Sequence, residues 1–140
     1  MARSLDGNLI KKAHAQQKYT LEQVEHLEKC MDPVTGPMYF AKTFIQIQHP
    51  VKGSIPFDMY EYQERLIDAY HENKQCIAML PRQMGKTTTA VAYLLWYTMF
   101  VPDSQILIAA HKYEGAKDIM DRYRFGYENL PDYIRAGVYS

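Results

Sequence analysis

Apolar positions along the chain recur with two different periods, and polar or turn-forming residues mark each change of period. Leu21, Val24 and Leu27 stand three or four residues apart behind Thr20 and Gln23, which have the spacing of a capping box. A helix is therefore predicted from Thr20 through Cys30, with those three side chains on its buried face. The turn chemistry of "DPVTGP" (32–37) ends it. Tyr39, Phe40, Thr43, Phe44 and Ile47 then keep a helical period, and "HPVKGSIP" (49–56) reads as loop. A second capping-box pattern, Asp58 with Glu61, opens a helix over "MYEYQERLIDAYHE" with a stripe of Tyr62, Leu66, Ile67 and Tyr70. Residues 1–19 are polar and mildly basic (Arg3, Lys11, Lys12, Lys18), the pattern of a solvated arm.

Beyond residue 74 the pattern changes. Gln75–Leu80 and Gln105–Ala110 are short apolar runs of strand length, both predicted to be buried. Between them, Lys86 to about Met99 is apolar on nearly every face, as a helix covered on both sides would be. "GAKDIMDRYRFGYENL" is a further amphipathic helix, stopped by Pro131, and "DYIRAGVYS" carries no clear element. Strand, loop, helix, strand, helix makes a βαβα unit, which predicts an α/β fold with a parallel sheet and a right-handed crossover. The organisation expected is a polar arm and helical lead-in over 1–57, then the α/β part over 58–140.

Composition narrows this little. Lysine and arginine total 16 and aspartate and glutamate 16, so any surface for nucleic acid would have to be a local basic groove. Cys30 and Cys76 are too few and too far apart for a disulfide framework or a zinc site, and Cys76 lies in an apolar run where a buried thiol is usual. The N-terminus has no continuous apolar core of the kind a secretory signal needs. The greasiest stretch, Ala90–Val101, falls well short of the ~20 residues of a membrane span. A soluble protein of a reducing cytosol, without a membrane partner, is the expectation. The twelve tyrosines are scattered at helical spacings and read as packing residues with wet hydroxyls.

The junction at residues 80–88 carries the chemistry. Leu80 ends a strand, "PRQMG" forms a loop, and a helix starts at Lys86. Backbone N–H groups at such a junction face inward, the helix dipole adds positive potential, and the pair attracts phosphate. Gly85 lets the backbone approach a phosphate with no Cβ in the way. Lys86 would reach the β- and γ-phosphates, the Thr87 hydroxyl would ligate Mg²⁺, and Thr88 could touch the α-phosphate. The glycine of a standard phosphate loop, six residues before Lys86, is here Leu80, and Pro81 follows it. That glycine serves the turn more than the phosphates, and the loop can still close over a triphosphate. Arg82 could neutralise charge on the γ-phosphate from its own chain, or form a structural ion pair or a ground-state phosphate contact.

Residues 62–96 with "ILIAAHKYEGAKDIMDRYRFGYENLPDYI" resemble the start of the ATPase domain of the large terminase subunit of tailed bacteriophages, the motor that packages viral DNA. The likeness extends back through "YFAKTFIQIQHPVKGSIPFDMYEYQ" and covers roughly residues 30–138. That family writes its loop Arg-Gln-x-Gly-Lys-Thr, matched by Arg82–Thr87, so the unusual entry is a family trait. The resemblance implies a P-loop NTPase fold with ATP and Mg²⁺ as ligands. Tyr62 and Gln63 would be the aromatic–glutamine pair that reads adenine, and Arg82 the in-cis arginine at the γ-phosphate. Arg82, Lys86 and Thr87 would serve catalysis, and Gln83, Met84, Gly85 and Thr88 would complete the nucleotide site. Without the resemblance, Gln63 reads as an exposed helix residue and Tyr62 as a core aromatic.

The resemblance further implies hydrolysis of ATP to drive double-stranded DNA into a procapsid in the host cell cytoplasm. A portal protein, a small terminase subunit and a ring of copies would be the partners. His111 and Lys112 match the family's Ala-His-Lys and suit a coupling role, a DNA-facing role or a solvated loop equally. No apolar run ending in Asp follows the loop, so a Walker B carboxylate, a catalytic glutamate and a nuclease domain are expected beyond Ser140. By itself the chain would then not turn over ATP. Two rival readings stand beside this one. A P-loop helicase or other translocase would lack the downstream nuclease domain, and an interaction module with an inert loop would fail nucleotide titration.

Overall fold

The computed structural model describes residues 11–138, and its elements run in chain order as α1 (Leu21–Met31), α2 (Gly36–Phe44), β1 (Gln46–His49), β2 (Gly53–Pro56), α3 (Glu61–Glu72), α4 (Lys86–Phe100) and α5 (Tyr113–Glu128). α4 is the element against which the others are laid, touching α1, α2, α3 and α5. Its composition explains why: apart from Lys86, every residue of α4 is at least half-buried. Val91, Ala92, Leu95 and Trp96 face the core with Phe40, Phe44, Ile67, Leu130 and Ile134. Burying a side chain of that size contributes roughly 1.5–3 kcal/mol.

α1 begins as its capping box predicts. The Gln23 N–H donates to Thr20 Oγ1 at 3.3 Å, and the Thr20 N–H donates to Gln23 Oε1 at 3.1 Å. The buried face differs from the one predicted: Leu21 is 87% exposed and Val24 lies at the surface, while Leu27 and Cys30 turn inward. The turn to α2 is held by Asp32, whose Oδ1 accepts from the N–H groups of Val34 and Thr35 at 2.8 Å each. Those two donors hold the Asp32 carboxyl below its ordinary range. Gly36 opens α2 so close to the Cys30 carbonyl that a Cβ would collide with backbone. The same carbonyl accepts from Trp96 Nε1 at 2.8 Å in the buried core, which ties α1 to α4.

Ile47 belongs to a strand rather than to a continued helix, and residues 49–56 form a hairpin rather than a loop. β1 and β2 pair antiparallel, from Gln46 opposite Pro56 to His49 opposite Gly53. Three residues close the turn, with Gly53 at φ +74° in the left-handed region that such short loops require. The cue lay in "HPVKG", a turn-forming proline and glycine between β-branched residues, masked by the helical spacing of the residues before it.

The start of α3 also differs. Asp58 is exposed and caps nothing; the N-cap is Tyr60, whose N–H donates to Gln63 Oε1 at 2.9 Å. Phe57 is buried and its N–H is bonded to the Ile45 carbonyl, so the chain stays extended past Asp58 before it can turn. Within α3, Gln63, Leu66 and Ile67 are buried while Tyr62 and Tyr70 are half-buried.

Segments 75–80 and 105–110 form no ladder among the described residues. They are not buried as predicted: residues 75 and 76 are exposed, exposure alternates over 77–80 and 105–109, and Ile77, Met79 and Leu107 are each 92% exposed. Cys76 is exposed with them, contrary to expectation, and Cys30 is the buried thiol. The pairing of these segments in a parallel sheet stands as a proposal. Residues 131–138 are more ordered than their sequence indicates. Leu130 and Ile134 are in the core, and Arg135, 2% exposed, pairs with Asp132 at 3.1 Å and lies over the Tyr127 ring. Val138 bridges Lys12 in parallel, so at least residues 11–13 of the predicted solvated arm are docked; residues 1–10 lie outside the described residues. No helix among the described residues is long and apolar enough to cross a membrane.

Candidate functional site

The loop from Pro81 to Gly85 leads into α4, and its backbone makes two left-handed turns close together. Gln83 has φ +61° and Gly85, the N-cap of α4, has φ +69°. A left-handed conformation costs a residue with a Cβ roughly 1–2 kcal/mol, so Gln83 holds strain that its neighbours must offset. The first hydrogen bond of α4 runs from the Thr89 N–H to the Gly85 carbonyl at 2.9 Å, and Thr89 Oγ1 donates to the same oxygen at 2.8 Å. The backbone N–H groups of Gly85, Lys86, Thr87 and Thr88 engage no acceptor among the described residues. Four unfilled donors at a helix start, under the positive end of its dipole, make an anion-attracting concavity.

Two cations flank it. Lys86 is exposed and its Nζ donates to the Leu80 carbonyl at 3.1 Å, folded back across the loop it closes. Arg82 is exposed and has no ion pair or hydrogen bond among the described residues, so nothing holds it as the structural ion pair considered above. The Thr87 and Thr88 side chains are half-buried on the first turn, with hydroxyls that make no hydrogen bond among the described residues.

α3 lies directly on the loop. Tyr62 Oη donates to the Met84 carbonyl at 2.8 Å and Gln63 Nε2 to the same oxygen at 3.3 Å. Gln63 is 4% exposed, and a Cβ on Gly85 would stand 2.5 Å from its Nε2. Gly85 is thus required twice, by its φ and by the amide that covers it. Tyr62 also stacks on Tyr60, with centroids 5.7 Å apart and planes 9° from parallel. Sequence reasoning missed Tyr60, Thr89 and the Leu80 carbonyl. The Tyr60 contact was legible in the Tyr-x-Tyr spacing; the other two depend on backbone geometry that has no residue signature.

Residues 77–138 match the family model described as terminase large subunit, T4likevirus-type, N-terminal. That stretch is similar to the N-terminal part of terminase large subunits. The terminase match begins inside the first extended segment and runs through the loop, α4, the second extended segment and α5 to Val138. It contains Arg82 to Thr88 entire, while Tyr62 and Gln63 lie outside it and join it through the Met84 carbonyl. His111 and Lys112, exposed just ahead of α5, lie within the matched segment, and among the described residues their side chains make no hydrogen bond or ion pair with the loop. A groove of about 470 Å³ between β1, α4 and α5 takes in Thr88 alone of the predicted site residues.

Proposed function

We propose that this terminase-like segment is the ATP-binding front of a packaging motor, which hydrolyses ATP with Mg²⁺ to move double-stranded DNA into a procapsid. The observation that carries the reading is the row of unengaged N–H groups from Gly85 to Thr88 with Lys86 beside it. Consecutive backbone donors and a cation form a donor set that fits a triphosphate and fits no cationic or apolar ligand. Mg²⁺ would come with the phosphates, and Thr87 would supply one ligand from its hydroxyl. Arg82 would swing its guanidinium onto the γ-phosphate, where charge is stabilised as the terminal bond breaks. The portal protein, the small terminase subunit, a ring of copies and the host cell cytoplasm are the setting that this motor requires.

Lys86→Ala is the test. Lys86 is exposed and packs against nothing in the core, so its loss should leave the fold intact. A hydrogen bond to a charged group is worth about 1.5–3 kcal/mol, so titration calorimetry with Mg·ATP should show affinity lower by at least ~10-fold. An unaltered affinity would remove the nucleotide reading. Turnover is a separate matter. Among the described residues no carboxylate is bonded to the loop, so phosphate release by this chain alone should stay near background even where ATP binds.

A further inference from the structure

Both donors on the Met84 carbonyl come from α3, and neither is placed to read a base. The Gln63 amide is engaged at both ends, with Oε1 on the Tyr60 N–H and Nε2 on the Met84 carbonyl, and the side chain is almost wholly buried. We propose that Tyr62 and Gln63 are positioning residues, a two-donor clamp that sets the phosphate loop by holding the Met84 carbonyl. This rests on the phosphate-site reading above.

The physical argument follows from the peptide plane. In a trans peptide the C=O and the following N–H point in opposite directions, and no cis bond occurs among the described residues. Fixing the Met84 carbonyl toward α3 therefore turns the Gly85 N–H away from α3, into the row of unfilled donors. The clamped peptide lies between Gln83 and Gly85, the two left-handed positions, where the backbone is least able to hold itself. Released from the clamp, the strained Gln83 would relax and the Gly85 N–H would swing out of line. The buried Gln63 amide packed on Gly85 blocks a second route, a flip of the peptide toward α3. Pre-organised donors lose little entropy when the anion arrives. The consequence is base-independent: the clamp acts on whatever phosphate the loop holds.

Tyr62→Phe keeps the ring and removes one donor. Gln63→Glu keeps the acceptor for the Tyr60 N–H and sets a carboxylate oxygen against the Met84 carbonyl. Binding of ATP, GTP and inorganic tripolyphosphate to the purified chain would be compared by calorimetry, with the melting temperature as a control on folding. The loss of one neutral hydrogen bond predicts roughly two- to tenfold weaker binding for Tyr62→Phe, by the same factor for all three ligands. Gln63→Glu should lose at least as much, again equally. A loss confined to ATP, with tripolyphosphate unaffected, would overturn the clamp and return the pair to reading adenine. Unchanged binding of every ligand would overturn it as well. Should Gln63→Glu lower the melting temperature, Tyr62→Phe decides alone. Failure of the unsubstituted chain to bind tripolyphosphate would instead remove the phosphate-site reading, and the clamp with it.

Discussion

Gly85 is the residue at which local conformation and site chemistry meet. Alanine there would place a Cβ in a left-handed conformation, at roughly 1–2 kcal/mol, and drive it onto the Gln63 amide. Gly85→Ala should therefore lower the melting temperature and weaken phosphate binding together, whereas Lys86→Ala should change binding alone. Thermal melts and calorimetry on the two variants separate these outcomes. Single residues also set the response to alkali. Burial pushes the Cys30 thiol up to about 12 and raises the Tyr93, Tyr123 and Tyr127 phenols. Each group holds its proton more tightly folded than unfolded, so its stabilising share is complete below the unfolded pKa and lost as pH climbs through the folded one. The melting temperature should fall steadily from about pH 9 upward. Below that window a thiol reagent should modify exposed Cys76 and spare Cys30 until the chain unfolds. At this scale the loop was legible where residue type decides it, in Gly85 at the left-handed N-cap and Lys86 at the start of α4. The clamp was not, because it acts on a carbonyl, and every residue has one.

Secondary structure was legible where a local signal and tertiary packing agree. Thr20 and Gln23 cap α1 as their spacing indicates, and every residue of α4 but Lys86 is at least half-buried, as its apolar composition indicates. Two competing signals misled. Asp58 and Glu61 have the spacing of a capping box, but burial of Phe57 holds the chain extended and passes the role to Gln63. Tyr39 to Ile47 keep a helical period, yet pairing of Ile47 with Ile55 takes the last of them into a strand. Between elements, the bond from Trp96 Nε1 to the Cys30 carbonyl is the one to test. Trp96→Phe would keep an aromatic ring and leave that buried carbonyl without its donor, at a cost of about 1–3 kcal/mol. Urea unfolding followed by circular dichroism should show a lower midpoint. Unchanged stability would mean that the end of α1 relaxes and finds water.

Across the whole molecule, helical packing is finished on one side of the extended segments and open on the other. Ile106 and Ile108 turn toward α5, while Ile77, Met79 and Leu107 project outward with nothing among the described residues to cover them. The alternation is what a strand of a half-covered sheet shows, and it explains why two apolar runs that read as buried stand exposed. Their backbone donors and acceptors carry no ladder bond, which leaves a template for any chain that can pair there. Two measurable consequences follow from one cause. Amide exchange should be fast over 75–80 and 105–110 and slow in α4, because only α4 has its hydrogen bonds closed and its side chains covered. The purified chain should also self-associate as its concentration rises. Met79→Lys with Leu107→Lys should suppress that association with little change in melting temperature, since neither side chain contributes burial. Sedimentation velocity of the two proteins over a concentration series reads the difference. If the lysine variant associates as strongly as the parent, the sticky surface lies elsewhere; if its melting temperature drops by several degrees, Met79 and Leu107 are covered in solution and the two segments already have their partners.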